Sequence, residues 1–166
     1  MLHDAGARVI LVARGADTIR QAAMEIGEGA TGIACDVADE RSLAATATRI
    51  RDTLSGAPDI LVNNAGRFTV ATIEETAPSE LEATLRVNLV APFALAQAFL
   101  PEMRARRSGH VVTIGSIADR YTFPGNVAYA ASKFGARAAH QVMREELRGS
   151  GVRVSRMAIS PLVISS

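Results

Sequence analysis

Short apolar runs recur along this chain with helix-like stretches between them, and that alternation leaves few folds open. Arg8–Ala13 reads RVILVA, the nearly continuous apolar pattern of a strand buried on both faces of a parallel sheet. Thr31–Cys35, Asp59–Val62, Val111–Ile114 and Val152–Ile159 repeat it. Helical patterns fill the intervals. Asp17–Ile26 stops at Gly27, and Asp39–Leu54 has Asp39 as an N-cap candidate. A long helical region over Pro78–Arg107 is expected to bend at Pro92 and near Pro101, and Val127–Arg148 is closed by Gly149 or Gly151. Met1–Ala5 reads as the last turn of a helix, capped by Gly6. Strands alternating with helices predict right-handed βαβ crossovers, and hence an α/β fold with a parallel, doubly wound sheet. No repeat, low-complexity tract or linker interrupts the pattern, so residues 1–166 read as a single domain.

Composition narrows the function. A net charge of +1 gives no general electrostatic case for nucleic acid or an anionic membrane. One cysteine, Cys35, excludes a disulfide framework and makes a reducing cytoplasm the simplest setting. The N-terminus, with His3 and Asp4, is a poor signal peptide. The apolar stretch around 87–100 is interrupted by Asn88, Pro92 and Gln97, so no membrane span is expected. His3, His110 and His140 lack metal-ligand spacing, and no catalytic metal is expected.

In an open parallel sheet, chemistry collects at the carboxyl ends of the strands. Arg14, Asp36, Asn63–Gly66, Ser116 and Pro161 each stand just past a predicted strand. The stretch His110–Lys133 carries the most chemistry. The strand Val111–Ile114 breaks at Gly115 and Ser116 follows directly, and Tyr129 and Lys133 are four apart, on one face of a helix. A free phenol titrates near pH ~10 and is a poor acid at neutral pH, but a nearby ammonium favours its ionised form. A hydroxyl, a phenol and an ammonium converging on one point therefore make a proton-transfer site. Three more cations, Arg104, Arg106 and Arg107, fall at a helix C-terminus, where they complement the dipole.

Ser116, Tyr129 thirteen residues on, Lys133, and Asn63-Asn64-Ala65-Gly66 upstream together resemble the signature of the classical short-chain dehydrogenases/reductases. The resemblance covers nearly the whole chain and implies a Rossmann-like three-layer α/β/α fold. It also implies an NAD(P)-dependent oxidoreductase that interconverts a carbonyl and a secondary alcohol, with Tyr129 as general acid/base and Ser116 holding the substrate oxygen. Asn88, in RVNLVAP, matches the family's fourth catalytic residue, which distorts its helix and holds a water against the catalytic Lys. The cofactor residues implied are Arg14, Asp36, Val37, Asn63, Asn64, Ala65, Gly66, Tyr129, Lys133, Pro161 and Val163. Ala13-Arg14 offers a guanidinium and no acid where an NAD-preferring fold carries an acid, which favours NADP over NAD.

The helix through Asn88 is apolar nearly all round, with Val87, Leu89, Val90, Phe93, Leu95 and Phe99 among others. That excess, with the resemblance, implies a homodimer or homotetramer. Two features depart from the family. The glycine-rich strand–turn–helix that receives the pyrophosphate does not occur in residues 1–166, and the family's Pro-Gly is Pro161-Leu162 here. The resemblance therefore implies the middle of a reductase domain, incomplete at both ends, with its central strand and C-terminal substrate region lacking. Two alternatives stay open: a catalytically silent paralogue or oligomerisation partner, and an epimerase or dehydratase of the extended family that shares Tyr-x-x-x-Lys.

Overall fold

The structure is a computed structural model that describes residues 3–159. The chain divides into two compact units, Met1–Gly56 and Ala57–Ser166. In the first, a 3₁₀ turn at His3–Ala5 ends at Gly6, whose φ of 81° suits a residue without a Cβ. β1 (Val9–Ala13), α1 (Ala16–Ile26), β2 (Ala30–Ala34) and α2 (Glu40–Leu54) follow. β1 and β2 pair in parallel, from Val9 opposite Ala30 to Ala13 opposite Ala34. α1 lies so close on β2 that a Cβ at Gly32 would stand 2.5 Å from the Ile19 carbonyl oxygen, so only glycine fits there. Asp39 caps α2 as expected, accepting the Ser42 N–H at 2.8 Å.

The second unit contains β3 (Ile60–Asn63), α3 (Pro78–Leu85), a π-helical turn (Arg86–Val90), α4 (Ala91–Ala105), β4 (Gly109–Ser116), a 3₁₀ turn (Ile117–Asp119), α5 (Val127–Glu146) and β5 (Val152–Ile159). Its strands run parallel in the order β3-β4-β5, with Asn63 opposite Thr113 and Ser116 opposite Ile159. The strands thus form two parallel ladders.

Three sequence expectations change. Gly115 does not end its strand; β4 runs on through Ser116, paired with β5 throughout. Gly115 is needed for another reason, because a Cβ there would stand 3.0 Å from Arg156 Nη1 and 3.3 Å from Asp119 Oδ2. The irregularity of the long helix is the π turn centred on Asn88, upstream of Pro92. The residue that would close an α-turn on the Asn88 carbonyl is Pro92, which has no N–H. By length and hydropathy, the 28-residue run Pro78–Ala105 would suffice to cross a membrane, despite its interruptions. Its Thr84, Asn88, Phe99 and Met103 are buried, and it packs on α5 and β4 within this unit. At its end, Arg106 pins the entry to β3, donating to the carbonyls of Ala57 and Pro58 at 2.8 Å and pairing with Asp59 at 3.2 Å.

His140, on α5, is 8% exposed, and its Nε2 has no hydrogen-bond partner among the described residues. Burial pushes its pKa below 6.5, Arg144 adds to this, and a backbone hydrogen bond at Ser155 opposes it. The neutral ring therefore contributes stability that is present above about pH 6.5 and is lost as pH falls through the lower folded-state pKa. His140→Gln is expected to flatten the acid side of a melting-temperature profile below about pH 6.5. A slope equal to that of the wild type would remove His140 from the acid response.

Candidate active site

Ser116 is the last residue of β4, in extended backbone and 7% exposed. Its Oγ accepts the Ala118 N–H at 3.2 Å, which leaves the hydroxyl proton free to donate elsewhere. Tyr129 and Lys133 stand one helical turn apart near the start of α5. Lys133 is buried, 9% exposed; its Nζ donates to the Ile114 carbonyl at 3.2 Å and lies 5.5 Å from the centre of the Tyr129 ring. β4 thus holds the ammonium two residues before Ser116, and α5 holds the phenol over it. Burial lowers the Lys133 pKa from its ordinary value, since a desolvated ammonium is disfavoured.

Asn88 is 3% exposed and fully engaged. Its Oδ1 accepts the Arg67 N–H at 2.7 Å, and its Nδ2 donates to the Arg67 carbonyl and to Ser132 Oγ, both at 2.9 Å. Ser132, fully buried, donates in turn to the Tyr129 carbonyl at 2.7 Å. The π turn is therefore stitched to the residue after the Asn63–Gly66 turn and to the helix turn that carries Tyr129 and Lys133. Asn63 is buried at the end of β3, whereas Asn64, Ala65 and Gly66 are exposed.

In the first unit, Arg14 is exposed directly after β1. Asp36 is exposed just past β2, with Oδ1 accepting the Ala38 N–H at 3.0 Å, and Val37 is half-buried. Arg14 and Asp36 therefore sit beyond the paired ends Ala13 and Ala34 of adjacent strands. Pro161 and Val163 lie outside the described residues.

Sequence reasoning missed two clusters here. Asp119, 1% exposed, is ion-paired with Arg156 and, at 3.2 Å, with Arg120, while Arg137 donates to its carbonyl at 3.1 Å. This buried pair locks the turn after Ser116 onto β5. Glu80 accepts from Arg67 Nε at 2.9 Å and Nη2 at 2.5 Å, from Thr69 Oγ1 at 3.0 Å and from Thr84 Oγ1 at 3.2 Å. The Arg67 hydrogen bond chiefly holds its pKa down at about 2. Apart from the adjacent Asp119–Arg120 pair and Glu80–Thr84, at i,i+4, both clusters join side chains far apart in sequence or on different elements.

A family model described as short chain dehydrogenase matches residues 1–165. The D-threitol dehydrogenase of Mycolicibacterium smegmatis is 38% identical over 96% of the chain and 61% of its own length. The bovine dehydrogenase/reductase SDR family member 7B is 34% identical over 97% of the chain and 51% of its length. The chain thus spans about half the length of that relative. A metagenomic short-chain oxidoreductase, solved in complex with NADP, superposes with a TM-score of 0.87 at 36% identity, covering 98% of this chain and 74% of that one.

Proposed function

Because this chain belongs to the short-chain dehydrogenase family, we propose that the protein is an NADP(H)-dependent oxidoreductase interconverting a carbonyl and a secondary alcohol. The observation that carries the reading is the buried Lys133 ammonium, tied to Ile114 two residues before Ser116 and 5.5 Å from the Tyr129 ring. For reduction, Ser116 donates its free hydroxyl proton as a hydrogen bond to the substrate carbonyl oxygen and holds it beside the phenol. As negative charge grows on that oxygen, Tyr129 transfers its proton to it. Lys133 stabilises the phenolate left behind. In the alcohol-oxidising direction the same proton returns to Tyr129. Asn88 and Ser132 keep α5 in register with the turn after β3.

The nicotinamide, when bound, supplies or accepts the hydride. Arg14, an exposed guanidinium at a strand end with no acid beside it in sequence, fits a 2′-phosphate. Asp36 keeps one carboxylate oxygen for an adenine amino group, and Asn63–Gly66 offers small residues for close approach to a ribose. The solved relative that holds NADP supports this cofactor choice. Arg14→Ala is expected to weaken NADPH binding by about one to two decades and NADH binding far less, as for a lost charge-assisted contact of roughly 1.5–3 kcal/mol. Equal losses for the two cofactors in calorimetric titrations would mean that Arg14 does not read the phosphate.

The primary test is turnover of the full-length protein with NADPH and simple ketones, and with NADP⁺ and the matching alcohols. A silent oligomerisation partner is the second reading, favoured by the large apolar side chains exposed on the π turn, α4 and α5. It requires that the full-length protein bind no NADPH. Both readings include homo-oligomerisation, supported by Val90 and Phe93 on the π turn and α4 and by Phe134 and Val142 on α5, all 41–56% exposed. A reducing cytoplasmic setting belongs to the same proposal, in keeping with the free thiol of Cys35.

A further inference from the structure

We propose that Phe68 is a specificity-determining wall beside Tyr129, selecting carbonyl compounds with an aryl or branched alkyl group next to the reacting carbon, and that Glu80 is the positioning residue that fixes it. The inference rests on the carbonyl–alcohol reading above. Phe68 is 58% exposed, yet its ring stands edge-on to the Tyr129 ring, with centroids 4.8 Å apart and an interplanar angle of 82°. Burial does not hold a ring that exposed, so its neighbours must. Arg67 before it and Thr69 after it both donate to the Glu80 carboxylate, and Thr84 donates from below. The Arg67 backbone is fixed by Asn88 through both its N–H and its carbonyl. Farther along, the Ala71 N–H donates to the Gly125 carbonyl at 2.8 Å, and Ala71 bridges to Asn126, so the segment is anchored at both ends.

A charge cluster on the surface has no need to organise an exposed phenyl ring. Here its result is to set that ring against the phenol assigned to proton transfer. Phe68 therefore presents bare apolar surface where a substituent of the carbonyl compound would lie. Val70, 72% exposed, extends that surface along the same loop. An aryl or branched alkyl group covering Phe68 removes this surface from water, whereas a polyhydroxylated group would give up its own hydration there.

The test uses the full-length protein with NADPH and two probes, acetophenone and hydroxyacetone. The wild type is expected to prefer acetophenone in kcat/KM. Phe68→Ala should cut that preference at least tenfold, mainly through KM, and Phe68→Leu, which keeps apolar volume without the ring, should fall between. Glu80→Gln should shift the preference the same way, less strongly. It should also reduce the ring-current displacement of the Tyr129 ring signals, read by NMR and assigned by their loss in Tyr129→Phe. An unchanged preference in both Phe68 variants overturns the wall. Wild-type signals and preference in Glu80→Gln overturn the positioning role. Turnover of neither probe by the wild type overturns the carbonyl reading and this inference with it, whereas an active wild type with unmoved variants overturns this inference alone.

Discussion

Tyr129→Phe is expected to lower turnover of any carbonyl substrate by about 10²–10⁴-fold, the usual contribution of a positioned general acid. NADPH affinity should stay within about threefold, a change of under roughly 1 kcal/mol. The substitution is narrow. The phenyl ring keeps the edge-on contact with Phe68 and stays above the Lys133 ammonium. The backbone carbonyl of residue 129 still accepts from Ser132, so α5 keeps its tie to Asn88. What disappears is the one proton that the mechanism moves. Steady-state kinetics and a calorimetric titration on the same preparation separate the two effects. Turnover near the wild-type rate would assign the proton to another group. Lost NADPH affinity with unchanged turnover at saturation would make the phenol a cofactor contact alone.

Most of this frame was legible from local signals. Apolar runs, glycine stops and the Asp39 cap located the five strands and their helices to within two residues; β4 shows the largest difference, reaching two residues farther at each end than its apolar run. Val152–Ile159 matches its strand residue for residue. The four-residue spacing of Tyr129 and Lys133 already fixed a shared helix face. Two kinds of feature were not legible. One depends on which neighbour arrives from elsewhere in the chain. Gly115 reads as a strand-breaker until Arg156 and Asp119 are seen to occupy the space of its missing side chain. No local signal links Arg67 to Glu80, thirteen residues on; the contact exists only because α3 brings the carboxylate to the loop. The other kind is a backbone register. Pro92 reads as the bend, yet its effect lies upstream, in a π turn whose buried Asn88 faces three hydrogen-bonding groups.

Those three groups make Asn88 a position where a large stability effect is expected. Asn88→Ala removes an acceptor from the Arg67 N–H and a donor from both the Arg67 carbonyl and Ser132 Oγ. Each lost bond is worth about 1 kcal/mol, and a group left buried and unpaired costs more, so a loss of roughly 2–4 kcal/mol follows. For a domain of this size that is a fall of roughly 5–15 °C in melting temperature. Function should suffer separately, because the same bonds tie the turn after β3 to the helix turn bearing Tyr129 and Lys133. A slackened tie is expected to lower kcat about 10–100-fold even well below the melting point, since small misplacements of reacting groups cost that much. Asn88→Asp sharpens the test: it keeps the acceptor for the Arg67 N–H but gives up the amide donors and buries a carboxylate, so it should be no more stable than the Ala variant. Denaturant melts and kinetics on both variants decide the matter. An Ala variant with wild-type stability would mean that water replaces the amide at little cost. Wild-type turnover in a destabilised Ala variant would confine Asn88 to folding, and leave the alignment of Tyr129 to Lys133, Phe68 and the helix itself.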